Sequence, residues 1–132
     1  MQLADTLTLV VPWDPVRLSP NKRLHYQERA RLVKVARAAA LFAWRQAGQP
    51  RQEEPVEVQI IVRRGRVMDP DNALGGVKAC LDQLLSYRHD GCGMVPDDSS
   101  QWIRFAPVAF ETGQEWQGRE EVEIILTPLR SL

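Results

Sequence analysis

The sequence predicts an α/β domain of the α+β kind: one mixed β-sheet with two main helices, in the order β-α-β-α-β-β. Three observations carry this. Val56 to Arg64, VEVQIIVRR, alternates apolar and polar residues as a half-buried strand does. Two long segments, from about Leu24 to Ala47 and from Asp71 to about Tyr87, have helical spacing of apolar residues. At 132 residues the chain suits a single domain, 1–132, able to bury roughly two-thirds of the surface its unfolded form exposes.

Thr6 to Trp13, TLTLVVPW, is rich in β-formers, with Pro12 marking an edge or terminating strand. Asp14 to Asn21 carries two prolines and a Ser-Pro-Asn turn signal, which predicts a loop. The first helix, free of Gly and Pro until Gly48 and Pro50 stop it, sets Leu32, Val33, Ala36, Ala40, Ala43 and Ala47 at helical spacing. With Leu41, Phe42 and Trp44, its C-terminal half is apolar over much of its circumference, which suggests burial on more than one side, here by a second subunit.

Gln49 to Glu54 is a polar connection to the Val56 strand. In the second helix, which Asp71 or Asn72 can cap, Leu74, Val77, Leu81, Leu84 and Leu85 share one face. Asp71, Gly75, Lys78 and Asp82 share nearly the opposite one. His89 to Pro96 is a glycine-containing loop. Gln101 to Phe110 is a strand disturbed by Pro107, and Arg119 to Leu126 is the last strand. The short connection between these two predicts an antiparallel hairpin.

The hydrophobic share of 44% and the charged share of 26% are those of an ordinary globular domain. No apolar run reaches the ~18 residues of a membrane span, and no basic-then-apolar leader is evident, so a cytoplasmic location without membrane contact is expected. Cys80 and Cys92 lack the partners of a structural zinc site and are expected as reduced thiols. Net charge is zero, yet residues 1–68 carry twelve Lys or Arg against six acids, and residues 69–132 five against eleven. A basic half beside an acidic half suits a phosphate-binding surface next to a metal-binding one.

The acids concentrate between Arg66 and Ile103, which hold six of the seventeen. Asp69-Pro70-Asp71-Asn72 and Asp97-Asp98 bracket the second helix. Two carboxylates ~4 Å apart repel by about 4 kcal/mol at an effective dielectric of 20, and a divalent cation relieves that. If the Gln101 strand lies beside the Val56 strand, the two clusters can meet. An all-oxygen site of two or three carboxylates suits Mg²⁺, or Mn²⁺, with substrate phosphate oxygens completing the shell. Phosphodiester hydrolysis uses such a site to activate water. Lys78 would add positive charge on the same stripe. Both acid clusters are equally good turn and capping sequences, and Lys78 with Asp82 is equally an i,i+4 surface pair.

The succession Leu18-Ser-Pro-Asn-Lys-Arg-Leu-His25, Met68-Asp-Pro-Asp-Asn72, Gly76-Val-Lys-Ala-Cys-Leu-Asp-Gln-Leu84 and Val95-Pro-Asp-Asp-Ser99 resembles the RusA family of Holliday junction resolvases. The resemblance implies a Mg²⁺-dependent, homodimeric endonuclease that resolves four-way junctions, a form of branched DNA, by paired nicks. It implies Asp69, Asp71 and Asp98 as metal ligands and catalytic acids, Lys78 as the functional lysine, and Asn72, Asp82 and Asp97 in support. Asp97 and Asp98, as neighbours, would point to opposite sides of a regular strand. Asn21, Lys22, Arg23, His25, Arg29, Arg31 and Lys34 would meet DNA phosphates in a salt-sensitive way. The other reading is a non-catalytic DNA-binding accessory protein of recombination or replication, with the acids as caps.

One departure concerns Lys78, which follows Asp71 by seven residues where the family's compact form has four. In a continuous helix the three extra residues would move it ~4.5 Å along the axis. A helix delayed by Gly75-Gly76, with Asn72 to Gly75 as loop, would return it to the site, and this is the expectation adopted.

Overall fold

The computed structural model describes residues 6–132. It shows a single small domain with a mixed five-stranded sheet and two helices, an α+β fold. The strands are β1 (Leu7–Val11), β2 (Val56–Arg64), β3 (Ile103–Phe105), β4 (Ala109–Thr112) and β5 (Glu121–Pro128), and the helices are α1 (Tyr26–Gln46) and α2 (Pro70–Leu85).

β2 has the bounds that its alternation predicts. Val56, Val58, Ile60 and Val62 are buried, while Glu57, Gln59, Ile61 and Arg63 face the opposite side. Leu9 and Val11 of β1 and Val122, Ile124 and Leu126 of β5 extend the buried face. Leu32, Ala36, Ala40 and Trp44 are the buried residues of α1. Val77, Leu81, Leu84 and Leu85 are buried on α2, with which α1 packs. Within the single chain Phe42, on the C-terminal half of α1, is exposed.

The last strands depart from the expected hairpin. β5 lies between β1 and β2 and is antiparallel to both, while β3 and β4 pair with β2 on its other edge and run parallel to it. The strand expected over Gln101–Phe110 is two short strands broken at Ala106–Val108. Pro107 lacks an N–H for the ladder, and the chain bends there while Ala106 N still donates to Val58 O. The loop expected over Asp14–Asn21 holds a 3-10 turn at Pro15–Leu18, which Asp14 caps by accepting from Val16 N. Cys92, Met94 and Val95 are buried, because the His89–Pro96 loop folds back along the end of α2. Its Cys92 N and Met94 N donate to Gln83 O and Leu84 O.

The helix start differs from expectation in a way that bears on the site. α2 runs unbroken through Gly75 and Gly76, and its cap is Asp69, whose Oδ1 accepts from Asp71 N and Asn72 N at 2.9 and 3.1 Å. The glycines serve close approach. A Cβ on Gly76 would stand 2.0 Å from Pro15 O, and one on Gly75 would stand 2.4 Å from Pro20 Cγ. Gly76 O also accepts the Trp13 indole N–H at 2.8 Å. The segment from Trp13 to Pro20 thus lies directly on α2, where any side chain would hold it off.

Candidate functional site

One face of α2 and the start of β3 line a cavity of about 510 Å³, formed by Asp71, Leu74, Gly75, Lys78, Leu81, Asp82, Leu85, Asp98, Ile103 and Phe105. From Asp71 to Leu85 is fourteen residues, or about 21 Å of helix, so the cavity is a groove along α2. Asp71 stands at its N-terminal end and Lys78 near its middle. Leu81, Leu85, Ile103 and Phe105 give the other end an apolar surface, flanked by Asp82, which lies between Leu81 and Leu85 along the helix, and by Asp98, just before β3. The stripe of Asp71, Gly75, Lys78 and Asp82 read from helical spacing is therefore one wall of this groove.

Lys78 Nζ lies 3.3 Å from both carboxylate oxygens of Asp82, with side chains 73% and 52% exposed. A pair that open contributes a few tenths of a kcal/mol, so parting it for a ligand costs little. Because α2 is continuous, Lys78 sits about 10 Å of helix rise beyond Asp71. The return of Lys78 toward Asp71 through a delayed helix start does not occur.

The two acid clusters are divided in role. Asp69 holds the helix cap. Asp97 Oδ1 accepts from Ser99 N at 3.1 Å and closes a turn. Asp71 and Asp98 face the groove. β3 does lie beside β2, but in parallel, so that Ile103 pairs with Val56 at the start of β2 while Asp69 follows its end. For that reason the trio Asp69, Asp71 and Asp98 is not gathered. Among the described residues no three His, Cys, Asp or Glu side chains stand close enough to hold a metal ion. By the same register Asp98 lies toward the opposite end of the groove from Asp71, and the chemistry of Asp71 alone suits a hard divalent cation of the Mg²⁺ type, which commonly takes only one or two carboxylates and completes its shell with water and phosphate.

The basic residues lie on the entry to α1 and its first turns. His25 caps the helix, its Nδ1 accepting from Gln27 N at 3.2 Å. Arg29 Nη2 donates to Lys22 O at 3.1 Å, and Arg31 pairs with Glu28. Asn21 accepts from the Ser19 hydroxyl. Lys22, Arg23 and Lys34 are exposed. Since Pro20 rests on Gly75, a wall residue of the groove, this basic loop is anchored beside it.

The sequence reading did not single out Phe105, Ile103 or Leu85 as groove residues. Leu85 was visible only as a member of the buried face, and Phe105 reaches the groove through the pairing of β3 with β2, a contact between residues 47 apart. No local signal marks that.

No protein-family model matches the chain. Among curated proteins, an uncharacterized protein of Xylella fastidiosa (strain Temecula1 / ATCC 700964) is 32% identical over 100 residues, which are 76% of this chain and 51% of that protein. The chain spans about half the length of this curated relative. No helix of the described residues is long and apolar enough to cross a membrane.

Proposed function

We propose that the protein is a Mg²⁺-dependent, structure-selective DNA endonuclease of the RusA type, acting as a homodimer on four-way junctions or related branched DNA. The observation that carries this reading is the single groove shared by Asp71, Lys78, Asp82 and Asp98, with the basic entry to α1 anchored at its wall. An all-carboxylate patch would repel a DNA strand. Here exposed Lys22, Arg23 and Lys34 offer phosphate contacts nearby, and their binding would weaken steeply with salt.

Asp71, at the N-terminal end of the groove, is the residue that would hold the cation, with water and phosphate oxygens completing the shell. A divalent ion held there supplies Lewis-acid stabilisation of the phosphoryl oxygens and lowers the pKa of water. The remaining roles belong to the chain itself. Asp69 caps α2 and thereby fixes the turn that presents Asp71. Lys78, once its loose contact with Asp82 is released, donates N–H to a phosphate oxygen and offsets charge as it develops. Asp97 holds the turn that carries Asp98.

Wild-type protein incubated with an end-labelled four-way junction, with Mg²⁺ or with chelator, is expected to give paired nicks only with the metal and far fewer on a matched linear duplex. Tight junction binding with no nicks at any Mg²⁺ or Mn²⁺ concentration would replace this reading with a non-catalytic accessory role.

A further inference from the structure

The groove is longer and more apolar than a metal-centred hydrolytic site requires. Leu81, Leu85, Ile103 and Phe105 line its end, and Phe105, in the short strand β3, keeps 47% of its surface exposed. We infer that this apolar end receives an unpaired nucleobase of the strand presented for cleavage, with the Phe105 ring as its stacking surface. The inference rests on the nuclease reading and adds to it what the groove selects: a strand with a base free to leave its stack.

Charge argues for this occupant. The groove holds three carboxylates, Asp71, Asp82 and Asp98, against one ammonium, Lys78. With Asp82 and Asp98 flanking its apolar surface, that end disfavours a second phosphate and suits a flat, neutral group. A nucleobase is such a group, and each base offers a π-face to an aromatic ring whatever its identity. The Lys78–Asp82 pair, reaching from the middle of the groove to its apolar end, offers N–H donors and carboxylate acceptors to the edge of that base or to the backbone following it. A base still paired and stacked in a duplex cannot enter. At a junction, where the crossover interrupts stacking, releasing one costs less than in a continuous duplex. Selectivity for branched DNA would then arise partly from the groove itself.

The test uses the full-length protein and a four-way junction carrying 2-aminopurine within a few nucleotides of each cleaved bond. Binding without Mg²⁺ is expected to raise the probe's fluorescence at one such position, as the base leaves its stack. Phe105→Ala is expected to abolish that rise and weaken junction binding about 5- to 100-fold. Phe105→Trp is expected to retain binding and quench the probe. Phe105→Leu, which keeps the apolar contact but not the ring, guards against a folding effect and should lose the stacking signal at an unchanged thermal midpoint. Nicking by the wild type in Mg²⁺ reports separately on the nuclease reading. Nicking that persists with no fluorescence change, and with equal binding by Phe105→Ala, would overturn the base pocket and leave the nuclease standing. Self-association lost in Phe105→Ala with DNA binding unaffected would overturn it in favour of a second copy as occupant. A wild type that neither binds nor nicks the junction would overturn both.

Discussion

Arg63 and Lys78 are both cations set among carboxylates, and they are held in opposite ways. The register of the sheet puts Arg63 of β2 opposite Glu111 of β4 and Glu121 of β5, with Glu123 two residues along the same face. Its guanidinium reaches Glu111 at 3.0 Å and Glu121 at 2.9 Å, and it also bonds Glu123. The Trp116 ring lies 5.6 Å away, and the Arg63 side chain is only 14% exposed. Hydrogen bonding to Glu111 leads in raising the Arg63 pKa above its ordinary value, and Glu123 and Glu121 add to it against the opposing effect of burial. Lys78 has one loose partner, high exposure, and a groove in front of it. Strand register saturates the first cation, so it pins three strands together. The second keeps its donors available, as a residue that meets a ligand must.

The largest expected effect tests how the groove wall is supported. Gly76→Ala puts a methyl group 2.0 Å from Pro15 O, a backbone atom that cannot turn away. Separation of the Pro15–Leu18 turn from α2 should cost at least about 3 kcal/mol, read as a shift in the urea midpoint. Arg63→Leu leaves three glutamates without their cation and should cost about 2 kcal/mol by the same measurement, an effect that salt partly relieves because Glu111 is half exposed.

A smaller effect concerns Cys80, whose thiol burial pushes up to about 12 from an ordinary 9.0. Above pH 9 the unfolded chain loses this proton before the folded one does. Stability is therefore full below pH 9 and falls as pH rises toward 12, by about 1 kcal/mol at pH 10. Cys80→Ala should flatten that part of the pH–stability curve, and the native thiol should resist alkylation. Lys78→Met should move the urea midpoint least, by under about 0.5 kcal/mol. A large loss of stability there would erase the contrast with Arg63.

What was legible in the sequence follows what is local. The alternation of Val56, Val58, Ile60 and Val62 specified β2 to the residue, because one face of that strand is fully buried in the core and the other only half-buried. The spacing of Val77, Leu81, Leu84 and Leu85 likewise marked the buried side of α2, and its complement marked the polar part of the groove wall, while Leu74, expected on the buried face, is half-buried and lines the groove with Leu81 and Leu85. Gly75-Gly76 was misread as a delayed helix start, since two adjacent glycines lower local helix propensity. Their use is a contact with Pro15 and Pro20, some sixty residues earlier, which no window of sequence contains. The insertion of β5 between β1 and β2 is long-range pairing of the same kind, and a short connection argued for a hairpin in its place. The acids could be named from their clustering. Their division into caps, Asp69 and Asp97, and groove residues, Asp71 and Asp98, needed the hydrogen bonds.

The central claim is that the groove along α2 does the chemistry while the Arg63 cluster supports the sheet. Single-turnover nicking of a four-way junction in Mg²⁺ by wild type, Asp71→Asn, Lys78→Met and Arg63→Leu, each below its own unfolding transition, tests it most directly. Asp71→Asn is expected to lose roughly 10³-fold or more in rate and Lys78→Met about 10²-fold, both with near-native stability, whereas Arg63→Leu should nick within about threefold of wild type. Undiminished nicking by Asp71→Asn, or a rate loss in Arg63→Leu as deep as that in Lys78→Met, would contradict the account.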